Sequence, residues 1–164
     1  MASTANAPSK LTIRAATPAD IPAMFPIVNA AFAIETFIEG TRTDEESMLA
    51  SMEEGQFLVG EEEGNIIASL YTEIRGERAY LGMLAVDPSR QGTGLGRQMA
   101  AAAEDHCRNQ GAKYIDIVVL SLRPELLPLY RKLGFVETGT KEFHPSRPLK
   151  DGVECHGIIM TKNL

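Results

Sequence analysis

The residues of this chain best suited to chemistry lie in one short run, Gln91-Gly92-Thr93-Gly94-Leu95-Gly96-Arg97, in which glycine recurs at every second position. Without Cβ atoms where a loop enters a helix, several unpaired backbone N–H groups can converge on one anion. The helix dipole favours negative charge at that end, and Arg90 and Arg97 add full positive charges. A phosphate suits such a loop; a flexible turn carrying two solvated arginines is the plainer alternative. Two familiar phosphate loops do not fit. A nucleoside-triphosphate loop needs Gly-Lys followed by Ser or Thr, which is absent. A dinucleotide fingerprint needs glycine where Arg97 stands and a turn directly after the strand, whereas Asp87 to Gln91 intervene here. Asp116 has the spacing of that fingerprint's acid but falls in mid-strand.

The elements that must position this loop follow from local pattern. Leu11 to Arg14 alternates as a short strand. Thr17-Pro18-Ala19-Asp20 supplies an N-cap, a proline at the first helical position and an early acid, opening a helix to about Phe32 that Pro26 should shorten or bend. Ala33 to Arg42 reads as a loop. Thr43-x-x-Glu46 is a capping-box pattern for a second helix, which Gly55 would close in a left-handed conformation. Phe57 to Val59 and Ile66 to Ile74 form a hairpin through Gly64-Asn65, and Ala79 to Val86 is a third strand ended by Asp87-Pro88. Leu95, Met99, Ala102, Ala103, His106 and Cys107 share one helical side before Gly111, and Lys113 to Leu120 is again a strand. That strand-loop-helix-strand unit implies parallel neighbours joined by a right-handed crossover. Pro124 opens a further helix with Leu126, Leu127, Tyr130 and Leu133 on its core face, and Gly134 ends it. Phe135 to Thr140 and Cys155 to Thr161 close the sheet around a polar loop, Phe143 to Gly152.

Composition bounds the class. A chain of 164 residues, 44% hydrophobic and 23% charged, fits one α/β domain over residues 11–164, and residues 1–10 read as a disordered tail without the features of a signal or transit peptide. No apolar run approaches the roughly 20 residues that span a bilayer. Cys107 and Cys155 suggest neither a disulfide framework nor a zinc site, so the expectation is a cytoplasmic protein without a metal. A net charge of −6 argues against a nucleic-acid surface.

Gln91-x-x-Gly94-x-Gly96, placed after Leu84-Ala-Val86 and before a helix, resembles the acyl-coenzyme A loop of the GNAT superfamily of N-acetyltransferases. Leu129-Tyr-Arg-Lys-Leu-Gly-Phe135 matches a second segment of that superfamily, and the element order resembles it over nearly the whole chain. The resemblance implies a mixed, mostly antiparallel sheet of six to seven strands, splayed at the acyl-CoA site and flanked by about four helices. It implies acetyl-CoA as donor and a primary amine of a small molecule or peptide as acceptor, joined by direct attack in a ternary complex. The main chain of Leu84, Ala85 and Val86 would hold the pantetheine arm, and the amides of Gln91, Gly92, Thr93, Gly94, Leu95, Gly96 and Arg97 the pyrophosphate.

By the same resemblance Tyr130 would protonate the leaving thiolate, although its spacing equally suits a core tyrosine. Arg123 stands where many members carry a coenzyme-contacting asparagine, and Pro124 and Pro128 replace small residues. The base is poorly marked: Val118 occupies the position that is acidic in some members, which leaves Glu73 as first choice ahead of Asp116, His144 and His156. Glu35 and Glu39 in the first loop would suit an ammonium acceptor, and Arg42, Arg147 and Lys150 a carboxylate. A covalent route is weakly supported, since Cys107 falls mid-helix and Cys155 has only His156 beside it. The alternative of another class is a non-catalytic acyl-CoA-binding regulatory or interaction module, with a nucleotide-binding protein third. An edge strand near the C-terminus is available for a homodimer, which nothing in the sequence compels.

Overall fold

A computed structural model describes residues 11–143 and 147–164; the anticipated tail and His144 lie outside the described residues. Its elements are β1 (Thr12–Ala15), α1 (Ile21–Ala31), α2 (Glu45–Glu54), β2 (Gln56–Glu62), β3 (Asn65–Arg75), β4 (Arg78–Val86), α3 (Leu95–Asn109), β5 (Tyr114–Leu120), α4 (Leu126–Lys132), β6 (Val136–Glu142) and β7 (His156–Asn163). The strands form one 7-stranded sheet in the order β1-β2-β3-β4-β5-β7-β6. Only β4 and β5 run parallel; every other pairing is antiparallel. This is the architecture that the GNAT resemblance implied.

Helices cover both faces of the sheet, which explains why its central strands are apolar throughout rather than alternating. In β2, consecutive Phe57, Leu58 and Val59 are all buried, Phe57 and Val59 toward Ile21, Met24 and Val28 of α1, and Leu58 toward the opposite core. That opposite core takes Leu95, Met99, Ala103 and Cys107 from α3, a four-residue repeat that makes one buried stripe on the helix. Burying each large side chain of this kind stabilises the fold by about 1.5–3 kcal/mol.

Local chemistry departs from the sequence expectations at four points. Thr43 does not cap α2. Its backbone N–H donates to Asn29 Oδ1 at 2.8 Å and its carbonyl accepts from Asn29 Nδ2 at 2.9 Å, so the cap passes to Asp44, whose carboxylate accepts from the Ser47 N–H at 2.7 Å. Gly55 is not left-handed; its φ is −152°, an extended value open to any residue. Glycine is needed there for space, because an added Cβ would fall 2.5 Å from the Tyr71 hydroxyl and closer still to the Thr72 carbonyl. The last helix begins at Leu126 rather than at Pro124, with Pro124 in the preceding turn. The first helix also starts late, since a short 3-10 turn, Pro18–Asp20, precedes α1 and the Thr17 N–H donates to the Asp20 carboxylate at 2.8 Å.

The close approach at Gly55 is testable. Gly55→Ala is expected to lower stability by about 1–3 kcal/mol through overpacking. Gly139→Ala on exposed β6, where a Cβ meets only Ile159 Cδ1 at 3.9 Å, should stay within about 0.5 kcal/mol of the parent. Urea midpoints of the two variants check both values; equal, small losses would show that the Gly55 site relaxes freely.

Candidate functional site

The site exists because two neighbouring strands part company. β4 and β5 pair only from Arg78↔Tyr114 to Tyr80↔Asp116. Each strand keeps its outer partner, β5 pairing β7 from Tyr114↔Asn163 to Leu120↔Gly157 and β4 pairing β3 out to Ala68↔Val86, so the sheet parts between β4 and β5. The parting coincides with a β-bulge: the β3 register slips between Tyr71↔Gly82 and Ser69↔Ala85, and Met83 takes a left-handed φ of 53°. Beyond Tyr80, β4 therefore presents backbone N–H and C=O groups that no β5 residue satisfies. The opening widens into a cavity of about 1000 Å³.

The glycine loop lies at one end of this cavity. Gly92 and Gly94 have φ of 81° and 84°, values that side chains resist, and a Cβ at either would meet no protein atom within 4 Å. A Cβ at Gly96 would meet only Val86 Cγ2 at 3.9 Å, so packing alone does not require glycine there; its absence of a side chain leaves the start of α3 open to a ligand. Several loop side chains brace the loop itself. Thr93 Oγ1 donates to the Arg90 carbonyl at 2.6 Å, Gln91 Nε2 to the Val86 carbonyl at 3.3 Å, and the Asp87 carboxylate accepts from the Ser89 N–H at 3.0 Å. Arg90 is committed to Glu62 at 2.5 Å. Arg97 lines the cavity in the first turn of α3 and, among the described residues, has no ion-pair partner. A lone cation at a helix N-terminus opposes the dipole unless an anion sits between them.

The structure thus gathers Gln91, Gly92, Gly94, Leu95, Gly96 and Arg97 on the cavity wall, with the side chains of Leu84 and Val86 beside them. Ala85 is buried against the α1 core and Thr93 is not on the wall, so either could contribute only main-chain groups. Tyr130 is on the wall, set edge-on to Phe135 at 5.9 Å between ring centres. Its hydroxyl makes no hydrogen bond among the described residues, and burial pushes its phenol above the ordinary value while the Arg123 charge opposes that rise.

The candidate bases are placed less favourably. Glu73 does not line the cavity; it accepts from Arg75 Nε at 2.8 Å and from the Tyr71 hydroxyl at 3.0 Å. The Arg75 hydrogen bond holds its carboxyl below the usual range, against its partial burial. Asp116 lines the cavity but takes both Arg78 nitrogens, each at 2.7 Å, and the Thr161 hydroxyl at 2.7 Å. His156 is exposed at the start of β7 and is not on the wall. Among the described residues no cluster of His, Cys, Asp or Glu could hold a metal ion.

The loops expected at the acceptor end do meet. Ile38 bridges Leu149, Glu39 N–H donates to the Pro148 carbonyl at 2.9 Å, and Lys150 N–H to the Phe37 carbonyl at 3.0 Å. Phe32, Glu35, Arg42 and Arg147 reach the cavity from them. Sequence reasoning missed Tyr80, whose ring lies over Gly82 on the cavity wall. It also missed the pairing of Glu35 with Arg123, which are 88 positions apart.

Residues 24–146 match a family model described as an acetyltransferase (GNAT) domain. The chain belongs to the GNAT acetyltransferase family. Among relatives, it is 31% identical over 112 residues to a mycothiol acetyltransferase of Amycolatopsis mediterranei, covering 63% of this chain and 36% of that protein. The GNAT chain described here therefore spans about a third of the length of the curated relatives it matches. Its fold superposes on a putative acetyltransferase from Salmonella typhimurium, solved with its cofactor acetyl-CoA, with a TM-score of 0.73, 26% identity and 95% coverage of both chains. A ribosomal-protein-alanine N-acetyltransferase from Brucella melitensis gives a TM-score of 0.74 at 26% identity, covering 94% of this chain and 100% of that one.

The closed end of the splay carries its own test. The Arg78 hydrogen bonds hold the Asp116 carboxyl below its ordinary value. A depressed folded value means that the pair stabilises above the unfolded pKa near 4 and that this contribution fades as pH falls below it. Asp116→Asn should therefore lower the melting temperature at pH 7, and its gap to the parent should narrow steadily as pH falls from about 5 through the depressed folded value. A gap that does not narrow on acidification would point to lost packing instead.

Proposed function

We propose that this GNAT chain is an N-acetyltransferase that moves an acetyl group from acetyl-CoA to the amine of a small molecule or peptide by direct attack in a ternary complex. The observation that carries this reading is the splay of β4 from β5, which aims unpaired β4 backbone at a cavity ended by the glycine loop and faced by the unpartnered Tyr130 hydroxyl. An extended pantetheine arm can add to β4 as a strand would, and a pyrophosphate suits the open, left-handed turns at Gly92 and Gly94 beside Arg97. When bound, acetyl-CoA supplies the thioester carbonyl. The chain's part is to hold that carbonyl against β4, to admit a neutral amine from the α1 and Phe143 side, and to offer the Tyr130 Oη proton to the departing sulfur.

Neither cysteine suits a covalent relay. Cys107 is fully buried within α3, and burial pushes its thiol up to about 11. Cys155 makes only weak sulfur contacts, with the Ser121 hydroxyl and the His156 carbonyl. Both being free thiols accords with a cytoplasmic setting, which belongs to this proposal, as does a homodimer formed along the exposed edge strand β6.

Calorimetric titration with acetyl-CoA, paired with Gly94→Asp, tests the donor site. The new carboxylate should weaken binding by on the order of 100-fold through repulsion of the pyrophosphate, with the far-ultraviolet spectrum unchanged. No binding to the parent protein would overturn the reading. Tyr130→Phe should lower kcat by about 100-fold or more while leaving acetyl-CoA affinity largely intact, as expected on losing a general acid. Thiol release during amine screening measures this, and an unchanged kcat would remove Tyr130 from the mechanism. Binding without thiol release from any amine would favour a non-catalytic acyl-CoA-binding module.

A further inference from the structure

The acceptor end of the cavity is built around one buried carboxylate. Glu35, in the loop after α1, is 7% exposed and lines the cavity. Both of its oxygens are taken by guanidinium groups: Oε1 accepts from Arg42 Nη1 at 3.1 Å and Oε2 from Arg123 Nη1 at 2.9 Å. Arg123 also donates through Nε to Glu125 at 2.5 Å; among the described residues its Nη2 then has no bond, nor do Arg42 Nε and Nη2. Arg42 is stacked over the Phe32 ring at 4.9 Å, which fixes its plane, and it shares the wall with Tyr80.

This arrangement decides between two kinds of acceptor group. An incoming ammonium finds each Glu35 oxygen already accepting from a guanidinium and meets the repulsion of the two cations around it. An incoming carboxylate finds planar, ordered guanidinium donors whose orientation Glu35 and Phe32 already hold, the geometry in which arginine outperforms lysine. The other acid anticipated for an ammonium, Glu39, lies exposed off the cavity wall, and Arg147 is committed to Asp44 and to the Thr41 carbonyl. Arg75, at the rim over the Tyr80 ring, is paired with Glu73. Among the described residues of the two acceptor loops and the turn before α4, the arginine donors left over are therefore those of Arg42 and Arg123, with Lys141 the other cation on this side of the cavity.

Resting on the transferase reading above, we infer that Arg42 and Arg123, bracketed by Glu35, form a carboxylate-binding subsite, so the acceptor is an amine that also carries a carboxylate, of the amino-acid type. Arg123 and Tyr130 line the same cavity, so on the transferase reading the subsite opens into the chamber that Tyr130 faces. Glu35 is a positioning residue here, and the two arginines are the binding groups.

The test compares matched acceptors: α-amino acids, their primary amides and the corresponding amines without the carboxyl group, each assayed for thiol release with acetyl-CoA. Reactive amino acids should exceed their amides and amines in kcat/KM by about 10- to 100-fold, the range expected from hydrogen bonds to a charged group. Arg42→Gln, which can still donate to Glu35 but lacks the charge, should raise KM for the amino acid by a similar factor and so collapse its advantage over the amide and the amine. A readout independent of turnover is calorimetric binding of the N-acetyl amino acid against its amide, with the same preference expected and the same loss in Arg42→Gln. Amides or simple amines that react as well as the acids, or a preference that survives Arg42→Gln, would overturn the subsite while leaving the transferase reading intact. Acetyl-CoA binding without thiol release from any acceptor would instead sink the transferase reading, and the inference with it.

Discussion

The separation of β4 from β5 after three paired residues is the constraint on which the rest of the site depends. A continuous sheet would satisfy the β4 backbone and leave nothing for a ligand to bind. The bulge at Met83 sustains the separation, at the cost of holding a non-glycine residue in a left-handed conformation, on the order of 1–2 kcal/mol. The surrounding structure can hold it there. β4 is locked to β3 on both sides of the bulge, its Leu81 and Ala85 are buried in opposite cores, and β5 is fixed independently by β7. Strain confined between two packed cores persists because relieving it would expose more apolar surface than it would save.

The same geometry sets the positions of the loop and the tyrosine. β4 stays with β3 to Val86, and Asp87 to Gly94 then carry the chain to the face on which α3 packs its Leu95, Met99, Ala103 and Cys107 stripe. The crossing puts the N-terminus of α3 on the wall of the cavity. The chain coming off β5 packs Leu126, Leu127 and Tyr130 of α4, with Leu133, against the same core, so the glycine loop after β4 and the Tyr130 helix after β5 line one cavity.

What was legible in the sequence was what local pattern encodes. The α3 stripe, the hairpin turns and the glycines at 92 and 94 all follow from residue spacing or from backbone conformations that only glycine adopts easily, and the family resemblance supplied the sheet. What was not legible depended on distant atoms. Gly55 looks like a helix stop and is in fact a close approach to Tyr71 and Thr72; Thr43 looks like a cap and is consumed by Asn29, fourteen residues earlier in α1. Met83 carries no mark of its left-handed turn, because a bulge is a property of the pairing and not of the residue. The bracketing of Glu35 needs a contact across 88 positions, and no periodicity reports it.

Charge illustrates the same division between global and local. The chain carries a net −6, yet the acids near the reacting centre are already spent: Glu35 on Arg42 and Arg123, Asp116 on Arg78 and Thr161, Glu73 on Arg75 and Tyr71. Glu73 and Asp116, held below the ordinary carboxylate value by their arginines, are weak bases, because taking up a proton would forfeit those bonds. The guanidinium groups are spent in the same pairs, so the wall carries little net charge, and on the transferase reading proposed above the amine would have to shed its proton to solvent rather than to one of these carboxylates. Val118, which lines the cavity, offers no proton acceptor of its own.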